Sequence, residues 1–349
     1  MDQDEELLRP PWEDDAPMFR RASDRRDANA AALLVPLARA QDAVARLETL
    51  VAAAPDDLAS GLRARLALFE AAGFLAHRGP PVHPYDLALR EAGMTGSYSL
   101  AALTGRLKQE APWTAAAGGE GVPDDHLVAQ ALALARHWRR LAELSTVQPL
   151  RSVATLATSL SPLGAHLADD ETARDWLAAL PGPTERPGLL AAAQIVAEGI
   201  PGTPRGEALD LAPAYVAAAV WRRHGYGRGC ALPFWSASIS RIDALARQSG
   251  TEFRRGYLEC TAEAAQRGAR ELARLQAAAA KIAALPGRAR SRLQGAGAVA
   301  VREPLITTSQ LARKLGVSPR AGLDLAARLV DAGVLREMTG RAAWRAFAV

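Results

Sequence analysis

Residues 303–349 read EPLITTSQLARKLGVSPRAGLDLAARLVDAGVLREMTGRAAWRAFAV, and the order of caps and stops in this stretch decides the fold. Thr308 has the side chain of a helix N-cap, because its oxygen can accept from an otherwise unpaired amide in the first turn. A short helix over 309–315 then buries Leu311 and Leu315 and stops at Gly316. Val317 packs in the turn. Ser318-Pro319 supplies a second cap and a first helical residue whose missing amide costs nothing. The helix of 319–332 buries Leu325 and Leu329, with Gly333 as a left-handed stop. Beyond it, 334–338 and 343–349 alternate around Thr339-Gly340-Arg341, which reads as a hairpin. Upstream, 291–302 forms a helix with Leu293, Val299 and Val301 turned inward, weakened by Gly295 and Gly297.

Helix, short helix, tight turn, helix and terminal hairpin together predict a winged helix-turn-helix over 288–349. Its second turn-helix would enter a DNA major groove with Ser318, Pro319 and Arg320 leading. Thr308 and Ser309 stand at a helix start, where amides can donate to phosphate. Arg313 and Lys314, with Arg336, Arg341 and Arg345 from the hairpin, can reach flanking phosphates. The outward face of 319–332 offers Arg320, Asp324, Ala327, Arg328 and Asp331. It lacks the Asn and Gln that most often pair with adenine. The competing reading is a winged helix used for packing or dimerisation.

Charge supports the nucleic-acid reading. The 349-residue chain carries a net +4 from 42 Lys and Arg against 38 Asp and Glu. Residues 288–349 hold eleven basic and four acidic residues, a local +7 that leaves −3 for everything before them. A positive field confined to one end suits a polyanionic partner. Nearly all of that positive charge is arginine, so coding bias is the competing explanation.

The remainder reads as helical. Residues 1–29 are expected to be a flexible tail. From Ala30 a helical stripe of Leu33, Leu37, Ala40, Val44, Leu47 and Val51 begins an N-terminal helical domain over 30–111. Pro55-Asp56-Asp57 ends it and starts a helix over 58–75; others are expected at 83–92 and 99–110. Residues 112–125, rich in Gly and Pro, read as a linker. A central helical domain over 126–287 follows, with helices near 126–144, 150–160, 170–180, 187–198, 209–223, 236–248 and 252–285. The fold class is therefore mostly α: a multi-helix bundle body followed by a winged helix-turn-helix with a short β-hairpin.

Several classes are excluded or left without support. Two cysteines, Cys230 and Cys260, cannot build a disulfide scaffold or a four-cysteine zinc site. No run of about 18 apolar residues is present to cross a membrane. The acidic start, MDQDEELLRPPWEDD, does not read as a secretory signal, and a cytoplasmic location is expected. Histidines 77, 83, 126, 137, 166 and 224 show no metal-ligand spacing, so neither a metal nor a cofactor is expected, and no catalytic residue can be assigned. Gly225–Gly229 lacks a Walker lysine, and Gly295–Ala300 spells a dinucleotide fingerprint without a strand before it. Both read better as loop and as close helix packing.

The C-terminal run resembles the C-terminal helix-turn-helix domain of a family of uncharacterised bacterial proteins, and upstream LLVPLARAQDAVARLETLV (33–51) and VHPYDLALREAGM (82–94) are similar to the other half of those same proteins. Its LRE-TGR ending is also similar to the winged helix closing many Fic-domain proteins. LAPAYVAAAVWRRHG (211–225) with LPFWSASI (232–239) is laid out like the helix and loop after the Fic motif, HPFxDGNGR. The corresponding stretch, Thr203–Glu207, has no His, no Asn and one Gly, so this second resemblance implies a helical frame without the motif's nucleotide chemistry. The first resemblance implies DNA binding. Double-stranded DNA is therefore the expected partner, with regulation of transcription as the natural use and the helical body serving a homodimer or the sensing of an effector. An antitoxin-like interaction module is the other alternative.

Overall fold

The computed structural model describes residues 16–78, 82–93, 125–143, 148–163, 167, 169–182, 185–199, 211–227, 229–232, 234–238, 245, 248, 250–285, 292–339 and 345–349. Among them are thirteen α-helices and one small sheet. Ten helices precede residue 290: α1 (Ala16–Ala53), α2 (Asp56–Arg78), α3 (Pro84–Glu91), α4 (Asp125–Glu143), α5 (Val153–Leu160), α6 (Asp170–Ala178), α7 (Gly188–Glu198), α8 (Leu211–Arg223), α9 (Phe234–Ser238) and α10 (Gly250–Ala283). Three more, α11 (Arg292–Arg302), α12 (Thr308–Leu315) and α13 (Pro319–Asp331), belong to the C-terminal unit. No helix among the described residues is long and apolar enough to cross a membrane.

The stripe on α1 packs along α10, with Leu33, Ala40, Val44, Leu47 and Val51 buried and Leu37 partly so. Helix α1 starts at Ala16, inside the segment expected to be tail. Once the buried stripe anchors its second half, adding turns upstream costs no new nucleus. Of the helix expected over 236–248, residues 236–238 lie in α9 (Phe234–Ser238) and Leu245 is helical, while 239–244, 246 and 247 lie outside the described residues; so do the helix expected at 99–110 and residues 112–124 of the linker.

Helix α2 is central, packed on α3, α4, α9, α10 and α11. Its apolar side chains occupy every face: Leu62, Leu66, Leu68, Ala71, Ala72 and Leu75 are buried. A helix apolar all round is a helix with neighbours all round. Helices from both sides of residues 112–125 therefore meet on α2, in one hydrophobic cluster that also takes in the C-terminal unit.

Two charged residues interrupt that surface, Arg65 and Glu70, both buried. Glu70 accepts from the Trp235 amide at 2.8 Å. Burial pushes its carboxyl well above the usual range, opposed by the Trp235 and Ser236 amides and by Arg267. It thereby joins α2 to the start of α9. Arg65 faces the C-terminal unit.

Asp86, in the first turn of α3, gives a pH signature. Burial raises its carboxyl to about 6, against an opposing backbone hydrogen bond at His83 and the charge of Arg90. The folded chain thus keeps a proton that the unfolded chain releases near pH 4. Its contribution is full below pH 4 and is lost as the pH climbs to 6, on the order of 2–3 kcal/mol. Asp86→Asn should flatten the unfolding free energy over that interval in urea titrations. An unchanged wild-type slope would show that the carboxyl does not titrate as described.

Candidate nucleic-acid interface

The C-terminal unit is built from its caps. Thr307, not Thr308, is the N-cap of α12: its side chain accepts from the Gln310 amide at 3.1 Å, and the Gln310 side chain accepts from the Thr307 amide at 3.1 Å. This reciprocal box satisfies two amides at once, which Thr308 could not do, because its third helical residue would be Leu311, with no side-chain acceptor. Thr308 becomes the first helical residue. Helix α12 ends at Gly316 with φ 62°, the left-handed geometry expected for that glycine. Ser318 caps α13 by accepting from Ala321, with Pro319 following. After Ala332, Gly333 turns with φ 63°.

Helices α12 and α13 pack through Gly322, where a Cβ would press on the Ala312 methyl and the Thr308 carbonyl, both at 2.9 Å. Leu311, Leu325, Ala326 and Leu329 close the small core beneath them. Gly322→Val should therefore separate the two helices and destabilise the unit by about 1–3 kcal/mol through overpacking. A urea midpoint unchanged from wild type would contradict this close approach.

Three short strands complete the unit: β1 (Ile306–Thr307), β2 (Arg336–Glu337) and β3 (Ala346–Ala348), antiparallel in the order β1-β3-β2. Ile306 pairs with Phe347, and Glu337 pairs with the same Phe347 from the other side. The expected hairpin is present as β2 and β3, with Met338 donating to the Ala346 carbonyl at 2.8 Å. β1 is an addition, because two residues carry no period to read. All three residues of β3 are buried, and because successive side chains face opposite sides, both faces of this central strand are covered.

Against this frame the expected contact residues that lie among the described ones fall into three groups. Ser309, Arg313, Ser318, Arg320 and Arg328 are exposed. On α13 the exposed positions Arg320, Leu323, Asp324, Ala327, Arg328 and Asp331 lie opposite the buried Gly322, Leu325, Ala326 and Leu329. Lys314 reaches the Glu303 carboxylate at 2.7 Å, and Arg345 lies 3.8 Å from Glu337, so acidic neighbours partly offset both. Thr308 and Arg336 are half-buried. Arg341 lies outside the described residues.

The unit is held to the body by backbone carbonyls. The Arg65 guanidinium donates to the Val301 carbonyl at 2.8 Å, the Glu303 carbonyl at 2.8 Å and the Gly61 carbonyl at 3.0 Å. Glu271 of α10 lies 3.3 Å from its Nε and also pairs with Arg274 at 2.8 Å. Burial pulls the Arg65 guanidinium below its usual range, and Glu271 opposes that shift. A cation at the end of α11 meets carbonyls that have no helical partner and the negative end of the helix dipole. Lys281 adds a bond to the Gly333 carbonyl at 2.9 Å. Gly297 permits the fit: a Cβ there would overlap Ile282 of α10, the close packing expected of that glycine pair. Sequence reasoning missed Arg65, and nothing local to α2 marks it.

Several other polar residues that the sequence draws attention to have structural partners. His83 caps α3, its Nδ1 accepting from the Tyr85 amide at 3.2 Å. His77 stacks on Trp235 with centroids 5.2 Å apart. His224 approaches the Pro181 carbonyl at 3.0 Å. Burial pushes the Cys230 thiol up to about 12, with Glu48 adding and Arg63 opposing, so it is held as a thiol rather than a nucleophile. Asp169 caps α6. The stretch 203–207 lies outside the described residues.

None of the curated proteins matches the chain. Residues 298–349 match the family described as an HTH DNA binding domain, so this segment, from within α11 through α12, α13 and the sheet, is a C-terminal helix-turn-helix DNA-binding domain.

Proposed function

We propose that the chain is a transcriptional regulator that binds double-stranded DNA through a winged helix-turn-helix, with α13 as the reading helix and the β2–β3 hairpin as the wing. The observation that carries this reading is the outward arc of α13. It presents Arg320 and Arg328 to solvent on a helix whose opposite face is locked into the domain core. The family likeness and the +7 charge of 288–349 support it. Arg320, Arg328, Arg313 and the amides at the starts of α12 and α13 are assigned to phosphates and base edges, with Ser309 and Ser318 beside them. Lys314, Arg336, Arg341 and Arg345 serve the flanking backbone. Two copies of the chain would set two such helices on successive half-sites.

Fluorescence anisotropy of the full chain with a labelled 30-base-pair duplex pool tests this reading. Each neutralised phosphate contributes about −0.9 to the slope of log affinity against log salt. Five or six contacts would give a slope of about −5. A flat salt response would refute it.

A further inference from the structure

Arg320, Leu323 and Ala327 follow one another at three- and four-residue steps, forming a line along the exposed arc of α13; Arg320, Asp324 and Arg328 form the line beside it. One rail is therefore charged and the other, after its leading arginine, apolar. Leu323 is 37% exposed and is the one large exposed apolar side chain of residues 292–349 among those described; the others, Leu34, Val35 and Leu50, lie on α1. The core face of α13 is complete with Leu325, Ala326 and Leu329, all buried.

In the major groove the one apolar group on a base edge is the C5 methyl of thymine, which apolar side chains contact directly. A reading helix without Asn or Gln cannot form the Asn/Gln bidentate pair with adenine, and the feature of an A·T pair that an apolar rail can contact is the thymine methyl. We infer that Leu323 and Ala327 read thymine methyl groups, making the domain selective for sites with dT in the positions facing this rail. The inference rests on the DNA-binding reading above and specifies which base feature α13 uses.

The test uses the full chain and a duplex enriched by it from a random-sequence pool, made in two forms: with dT, and with every dT replaced by dU. The replacement removes only the methyl groups. Burying one methyl-sized group corresponds to about a fourfold gain in affinity, so two contacted methyls predict about a 15-fold preference for the dT duplex. Leu323→Ala, at an exposed position, should remove much of that preference while leaving the salt slope unchanged, and adding Ala327→Ser should remove the rest. Equal affinity of wild type for both duplexes, with a steep salt slope, overturns the inference and leaves DNA binding standing. A dT preference that persists undiminished in Leu323→Ala also overturns it, because the methyls would then act through DNA shape. Absence of salt-dependent binding to any duplex removes the DNA-binding reading and the inference together.

Discussion

Arg65→Ala is expected to lower the unfolding free energy of the full chain by about 3 kcal/mol, the largest effect of any single substitution considered. The guanidinium is buried, and its loss strands the Val301 and Glu303 carbonyls. A buried acceptor left without a donor costs about 1–3 kcal/mol. Glu271 adds less to the loss, because Arg274 still pairs with it at 2.8 Å. Arg65→Lys should recover only part of the stability: one ammonium on a longer stem cannot span carbonyls that a planar fork reaches together. Urea titration measures both variants. A loss under about 1 kcal/mol for Arg65→Ala would show that the carbonyls find other partners and that the body does not hold α11 through this residue.

The second large effect is on affinity. Arg320→Glu with Arg328→Glu removes two exposed cations from the arc of α13 and sets two carboxylates in their place. Charge-assisted hydrogen bonds are worth about 1.5–3 kcal/mol each, so duplex affinity should fall at least about 100-fold. Repulsion adds to that loss. Stability should move by less than about 0.5 kcal/mol, as for exposed positions without special geometry. The pairing of these outcomes matters: an affinity loss accompanied by an equal fall in stability would mean that the domain unfolded, not that two contacts were lost. The same affinity as wild type would remove α13 as the reading helix.

What the sequence discloses is what local chemistry controls. The cap at Ser318, the stop at Gly316 and the amphipathic face of α13 depend on neighbours within four residues, and all three stand where they were expected. The stripe on α1 was equally legible, because burial repeats at the helical period. The shift of the α12 cap from Thr308 to Thr307 reflects a choice between adjacent threonines that only Gln310 resolves, by reaching back to the earlier amide. β1 was not legible, since its pairing with Phe347 spans most of the domain. Arg65 shows the limit more sharply. Its carbonyl partners in the C-terminal unit lie more than 230 residues along the chain, and in the sequence it is one of three arginines on α2. Only the fold reveals that it closes the end of α11. The role proposed for Leu323 required the same step: the sequence placed Ala327 on the outward face but not Leu323, whose exposure separates it from the buried leucines of the same helix.

The most direct test of the central claim is amide hydrogen exchange of the full chain with and without a saturating duplex. New protection is expected at the starts of α12 and α13, around 307–311 and 318–323, and in the strand and turn near 336–341. Helices α1 to α10 should exchange as in the free protein. Protection concentrated on those body helices, with the amides of α12 and α13 unchanged, would contradict the account.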